Sequence, residues 1–190
     1  MATAIGIAAV LLLKPSAPLL QAGIALPKPR PIGEFELVDQ RGHGLTREVL
    51  RGRWSLLYAG FTNCPDICPT TLALLAKLKP RLRARGVDPQ IIFLSVDPAR
   101  DTPAQLAQYV GHFDPTLIGI TGSKAQIDRL CADLGLAYVI NPGIGGEYTV
   151  DHPAALILID PQARLAAYFR PPFALDSLAA DLESLAGSSN

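Results

Sequence analysis

Ile91-Ile92-Phe93-Leu94-Ser95-Val96 is a nearly unbroken apolar run, stopped by Asp97-Pro98. A strand with one face in water alternates polar and apolar residues. A strand without that alternation has both faces covered, as in a parallel sheet between helices. The rest of the chain must therefore supply helices, and it does. Ser55 to Phe61 reads as another buried strand, followed by a helix from about Cys68 to Arg85. Gly86 ends that helix after Arg81, Arg83 and Arg85, where cations suit the terminus. Asp101-Thr102-Pro103 opens a helix with a cap and a first-turn proline, reaching about Phe113. Leu117 to Thr121 is a short strand, and Ser123 caps a helix to Leu134.

Further strands frame this unit. Glu34 to Val38 ends in the turn Asp39-Gln40-Arg41-Gly42-His43-Gly44, an N-terminal β-hairpin. Tyr138 to Val150 is Gly-rich and reads as irregular. Ala154 to Ile159 turns through Asp160-Pro161-Gln162-Ala163 into Leu165 to Phe169, before a last helix from about Leu175 to Leu185. The order predicts an α/β fold with a mainly parallel central sheet flanked by helices, the closing hairpin adding an antiparallel edge.

Cys64-Pro65-Asp66-Ile67-Cys68-Pro69 lies between the first buried strand and the first helix. A cysteine pair there is the thioredoxin-like arrangement, at the sheet end where ligands of open α/β sheets sit. At i and i+4 on a starting helix, the two thiols would share a face. Helix N-termini favour thiolates. Such a pair can close a disulfide, attack another disulfide or hold a soft metal ion. Asp66 between them reads as a first-turn cap, since a negative charge opposes thiolate formation. Cys131 sits on an amphipathic helical stretch and reads as a small buried hydrophobe. Three cysteines in all are too few for a disulfide-built scaffold.

Lys+Arg and Asp+Glu both number 17, so no basic field exists to attract nucleic acid. Ala2 to Leu13 is uncharged and ends at Lys14-Pro15. It is shorter than the ~20 residues that span a bilayer and lacks a basic n-region. A signal-peptide core, a shortened membrane anchor and an apolar tail are the open readings, with export or anchoring preferred. Pro27-Lys28-Pro29-Arg30-Pro31 reads as an extended linker. The expected division is therefore 1–31 for leader and linker and 32–190 for the domain.

Three motifs together resemble the Sco/SenC family of copper proteins, which serve assembly of cytochrome c oxidase. They are Cys64-Pro65-Asp66-Ile67-Cys68-Pro69, Ser95-Val96-Asp97-Pro98-Ala99-Arg100-Asp101-Thr102-Pro103, and Asp151-His152 ahead of Leu158-Ile159-Asp160-Pro161. The resemblance covers about Ile32 to Leu185, with the motifs in the family's order and spacing. It implies a thioredoxin-like domain on the exported side of a bacterial inner membrane, the mitochondrial inner membrane being the second choice. It implies copper, Cu(I) and also Cu(II), bound by Cys64, Cys68 and His152. The implied recipient is the dinuclear copper site of cytochrome c oxidase subunit II. Other copper carriers or thiol reductants are further partners. Pro153 departs from the family, which usually has a small hydroxyl residue after the histidine; it resembles the cis-proline that faces the cysteines in thioredoxins.

The residues alone leave function classes open. A metallochaperone would use soft thiolates and one imidazole for Cu(I), whereas structural zinc wants a fourth ligand. A thiol–disulfide oxidoreductase would use Cys64 and Cys68 as attacking and resolving thiols. A peroxidase of the peroxiredoxin type would need a reactive cysteine without a histidine ligand. The three-residue gap and His152 favour the metallochaperone over a turnover enzyme. His43 in a turn and His112 at a helix end read as solvated.

Overall fold

The computed structural model describes residues 19–143, 145 and 147–187. The apolar stretch from Ala2 to Leu13 lies outside the described residues.

An eight-stranded sheet runs β1-β10-β9-β4-β5-β6-β2-β3. Its strands are β1 (Gly23–Pro31), β2 (Glu36–Asp39), β3 (Gly44–Thr46), β4 (Ser55–Gly60), β5 (Gln90–Ser95), β6 (Ile118–Thr121), β9 (Leu156–Ile159) and β10 (Arg164–Phe169). The second sheet holds β7 (Val139–Pro142) and β8 (Tyr148–Asp151). Among the described residues four α-helices complete the fold: α1 (Ile67–Ala84), α2 (Pro103–Phe113), α3 (Lys124–Leu134) and α4 (Leu175–Gly187).

Every residue of β4 and β5 is buried, as their lack of alternation requires. The central sheet flanked by helices is as expected, but it is mixed rather than mainly parallel, because parallel pairing is confined to its centre: β4 pairs with β5, putting Leu57 opposite Ile92, and β5 pairs with β6. The flanking strands are antiparallel: β9, β10 and β1 on one side, the β2–β3 hairpin on the other. Helix α1 packs against α4 and α2.

Local chemistry sets the helix ends. Thr102 and Gln105 form a reciprocal capping box on α2, with Pro103 in its first turn. After α1, Gly86 adopts φ +76°. There the Gly86 N–H donates to Arg83 and the Val87 N–H to Leu82, a Schellman closure.

Two stretches differ from expectation. The expected linker, residues 27–31, is extended as its prolines dictate, but it belongs to β1, which pairs with β10 rather than running free. Asp181 of α4, 3% exposed, anchors the entry to β1 by accepting from the N–H groups of Gln21, Ala22 and Gly23 at 2.8, 2.7 and 3.1 Å. The sheet therefore begins upstream of Ile32. The stretch from Tyr138 to Val150, expected to be irregular, is mostly the β7–β8 hairpin, in which Ile140 pairs with Val150. Gly143 and Gly145 fall in the connection, where the Gly143 N–H donates to the Glu147 carbonyl at 2.7 Å.

Candidate metal centre

The carboxyl ends of β4 and β5 open onto two loops, and β8 delivers His152 above them. The ligand atoms of Cys64, Cys68 and His152 all lie within 4.8 Å of one another. The sequence-predicted residues are thus brought together, from three places in the chain.

Cys68 is in the first turn of α1, whereas Cys64 precedes the helix. The expected i, i+4 helical pair is therefore corrected to a loop thiol facing a helix thiol. The two prolines and the turn between them bring this about: the Cys64 N–H bonds the Phe61 carbonyl at 3.3 Å, and the Cys68 N–H donates to Cys64 Sγ at 3.4 Å. That bond satisfies an otherwise orphan helix donor. Asp66 occupies the cap position, but its carboxylate makes no cap bond and instead accepts from the Thr70 hydroxyl at 3.4 Å. The expected capping role is corrected accordingly.

Cys68 is fully buried against Gly60, with its Sγ 3.3 Å from His152 Nε2 and 3.7 Å from the Tyr58 hydroxyl that donates to it. Burial pushes its thiol up to about 12 and neighbouring Cys64 adds to the rise, while the Phe61 backbone and Tyr58 hydroxyl oppose it. The same burial, with both sulfurs beside it, pushes the Tyr58 phenol up.

The imidazole is fixed edge-on between two rings. Its centroid lies 5.9 Å from both Tyr58 and Phe61. Burial lowers the His152 pKa, so the ring is neutral near pH 7, as a ligand must be. The Pro153 carbonyl lies 3.4 Å from Nδ1. The tautomer assigned by that contact leaves the Nε2 lone pair facing the sulfurs. The cis peptide bond among the described residues is Pro171–Pro172, not His152–Pro153. Pro153 thus differs from a thioredoxin cis-proline.

A groove of about 490 Å³ leads to the site between the Cys64 loop and β8, lined in part by Phe61, Cys64, Ile67, Val150 and His152. Two soft sulfurs and one imidazole suit Cu(I). No fourth ligand of the kind structural zinc requires joins them among the described residues.

Several supporting residues were missed in the sequence. Asp101, fully buried, accepts from the Thr62 N–H and hydroxyl at 2.9 and 2.6 Å and from the Ser95 hydroxyl at 2.6 Å. It ties the cysteine loop to the end of β5. Asp97, 1% exposed, pairs with Arg100 and accepts from the Tyr148 hydroxyl at 2.6 Å. Their signal was the Ser95–Pro103 motif, which reads locally as a strand stop and a helix start. Cys131 is buried as expected, and His43 and His112 are exposed.

A family model described as SCO1/SenC matches residues 25–187. The chain belongs to the SCO1/SenC family. A Stutzerimonas stutzeri protein whose name assigns copper binding provisionally is 42% identical over 156 residues, 82% of this chain and 76% of that protein. The mitochondrial SCO2 homolog of Bos taurus is 41% identical over 140 residues, 72% of this chain and 53% of its own length. This chain therefore spans about half of that relative. Among solved structures, Arabidopsis thaliana ScoI with copper bound superposes with a TM-score of 0.78 at 35% identity, covering 82% of this chain and 98% of that one. BsSco, described as a member of the Sco family of cytochrome c oxidase assembly proteins with a disulfide switch, superposes at 0.67 with 26% identity, covering 86% and 96%. The fold is thus the thioredoxin-like Sco fold. No helix of the described residues is long and apolar enough to cross a membrane.

Proposed function

We propose that this SCO1/SenC-family chain binds copper through Cys64, Cys68 and His152 and delivers it to the dinuclear copper site of cytochrome c oxidase subunit II. The observation that carries this reading is the convergence of the three ligand atoms within 4.8 Å at the open end of the sheet. Cu(I) fits the set first, because two thiolates and one imidazole satisfy a soft ion of low coordination number. Cu(II) is a second cargo state. The copper held by the Arabidopsis relative supports copper as the cargo, and the description of BsSco supports oxidase assembly. Transfer would proceed by ligand exchange across the groove beside Cys64, and closing a Cys64–Cys68 disulfide would stop it, because a disulfide cannot ligate as thiolates do. The site would act on the exported side of a membrane, with the apolar stretch from Ala2 to Leu13 as signal or anchor.

The experiment is an anaerobic Cu(I) titration of the reduced protein against a competing chelator. One equivalent is expected for the native chain, with tight binding lost in Cys64→Ala and Cys68→Ala and weakened in His152→Ala. Full affinity in either cysteine variant would refute the ligand set.

A second reading, reduction of partner cysteines before metallation, is favoured by the unequal setting of the thiols. Cys64 lines the groove, whereas Cys68 is sealed beneath it. Cys64 would attack and Cys68 resolve. His152→Ala should retain this exchange while weakening copper binding.

A further inference from the structure

β7 and β8 form a sheet of their own, so His152 reaches the cysteines from an element with no ladder to the main sheet. Arg100, in the loop between β5 and α2, bridges the gap. Its Nη1 donates to the Tyr148 carbonyl at 3.1 Å, and its guanidinium carbon lies 3.6 Å from the Tyr148 ring centroid. Its Nε donates to one oxygen of Asp97, whose other oxygen takes the Tyr148 hydroxyl at 2.6 Å. Tyr148 is thus gripped at its backbone, ring and hydroxyl by a pair of residues from one loop. Asp97 is 1% exposed, and a charge buried to that degree is retained only when paired and hydrogen-bonded. The same loop holds the other arm of the site, since Asp101 fixes Thr62 just ahead of Cys64.

We infer that Arg100 is a positioning residue for His152, clamping the start of β8 through Asp97 and Tyr148 so that the imidazole is preorganised over the sulfurs. Asp97, Arg100 and Asp101 then make the β5–α2 loop a bracket that sets the spacing between imidazole and thiols. A short strand beginning at the clamped Tyr148 and ending beside His152 carries the constraint along its backbone. Residues that orient a metal ligand commonly matter nearly as much as the ligand itself. The inference rests on the copper reading proposed above.

The test is a double-mutant cycle in anaerobic Cu(I) competition titrations with the native chain, Arg100→Ala, His152→Ala and the double variant. Arg100→Ala should weaken Cu(I) binding by about 10–100-fold in the native background. In the His152→Ala background it should cause no further loss. Tyr148→Phe, which deletes only the hydroxyl, should show a smaller loss with the same dependence on His152. Arg100→Lys keeps a charge but not the fork, and serves if the alanine variant fails to fold. Metal-free hydrogen exchange over residues 139–152 should accelerate in each clamp variant that folds. Unchanged affinity, an equal loss in both backgrounds, or unchanged exchange protection would overturn the inference. Native affinity in His152→Ala would instead overturn the ligand set, leaving exchange to decide whether Arg100 holds the hairpin.

Discussion

Replacing Gly60 with alanine would put a methyl group where the site has no room. A Cβ built at Gly60 meets Cys68 Sγ at 2.8 Å and Phe93 Cε2 at 2.8 Å. Ordinary apolar contacts lie near 3.5–4.0 Å, so the neighbours must retreat by about 1 Å. Both are fully buried, and interiors at crystal-like density do not absorb such a shift without loss. Overpacking of this kind costs about 1–3 kcal/mol. For a domain of this size the melting temperature should fall by about 2–12 °C. Functionally, Cys68 Sγ is pushed relative to His152 Nε2, now 3.3 Å away. Metal constellations tolerate about 0.5 Å of misplacement, so Cu(I) affinity should fall along with stability. Urea unfolding with an unchanged m-value, beside Cu(I) competition on the reduced protein, reads both effects. A Gly60→Ala protein with native midpoint and native affinity would refute the claim that the end of β4 is glycine because the Cys68 sulfur sits on it.

Two other outcomes follow from the same packing. Asp181→Ala removes the acceptor of three N–H groups at the entry to β1, which should cost about 1–3 kcal/mol and speed hydrogen exchange over residues 21–25; native protection there would show that β1 holds by its ladder alone. Burial, with Asp128 adding, pushes the Cys131 thiol from 9.0 to about 11. Because the folded value is the higher one, the contribution is fully present below pH 9 and is lost as pH rises through about 11. The native chain should lose up to about 2–3 kcal/mol more than Cys131→Ala over that window in urea unfolding, and equal pH slopes would contradict the assignment.

Much of this fold is written in local pattern. The absence of alternation in β4 and β5 announces strands covered on both faces, and Thr102-Pro103, Ser123 and Gly86 mark helix ends by chemistry that acts within a few residues. The cysteine motif at a strand–helix junction likewise locates the site, because chain order in an α/β unit fixes which loop lies at the open end of the sheet. Pairings between distant segments were not legible. Residues 27–31 look like a linker because proline favours extended backbone whether or not a partner is present; pairing with β10 makes them part of a strand. The glycines of 138–150 suggest irregularity, yet Gly143 and Gly145 lie between two paired strands. Asp97, Arg100 and Tyr148 are ordinary residues until folding brings their loop against β8. Sequence alone thus determined the central strands, the helices and the loop that carries Cys64 and Cys68, since these depend on residue type and short-range geometry, while His152 was marked by the family resemblance. Tertiary structure alone decided how the imidazole meets the sulfurs, because that distance is set by buried contacts between segments far apart along the chain.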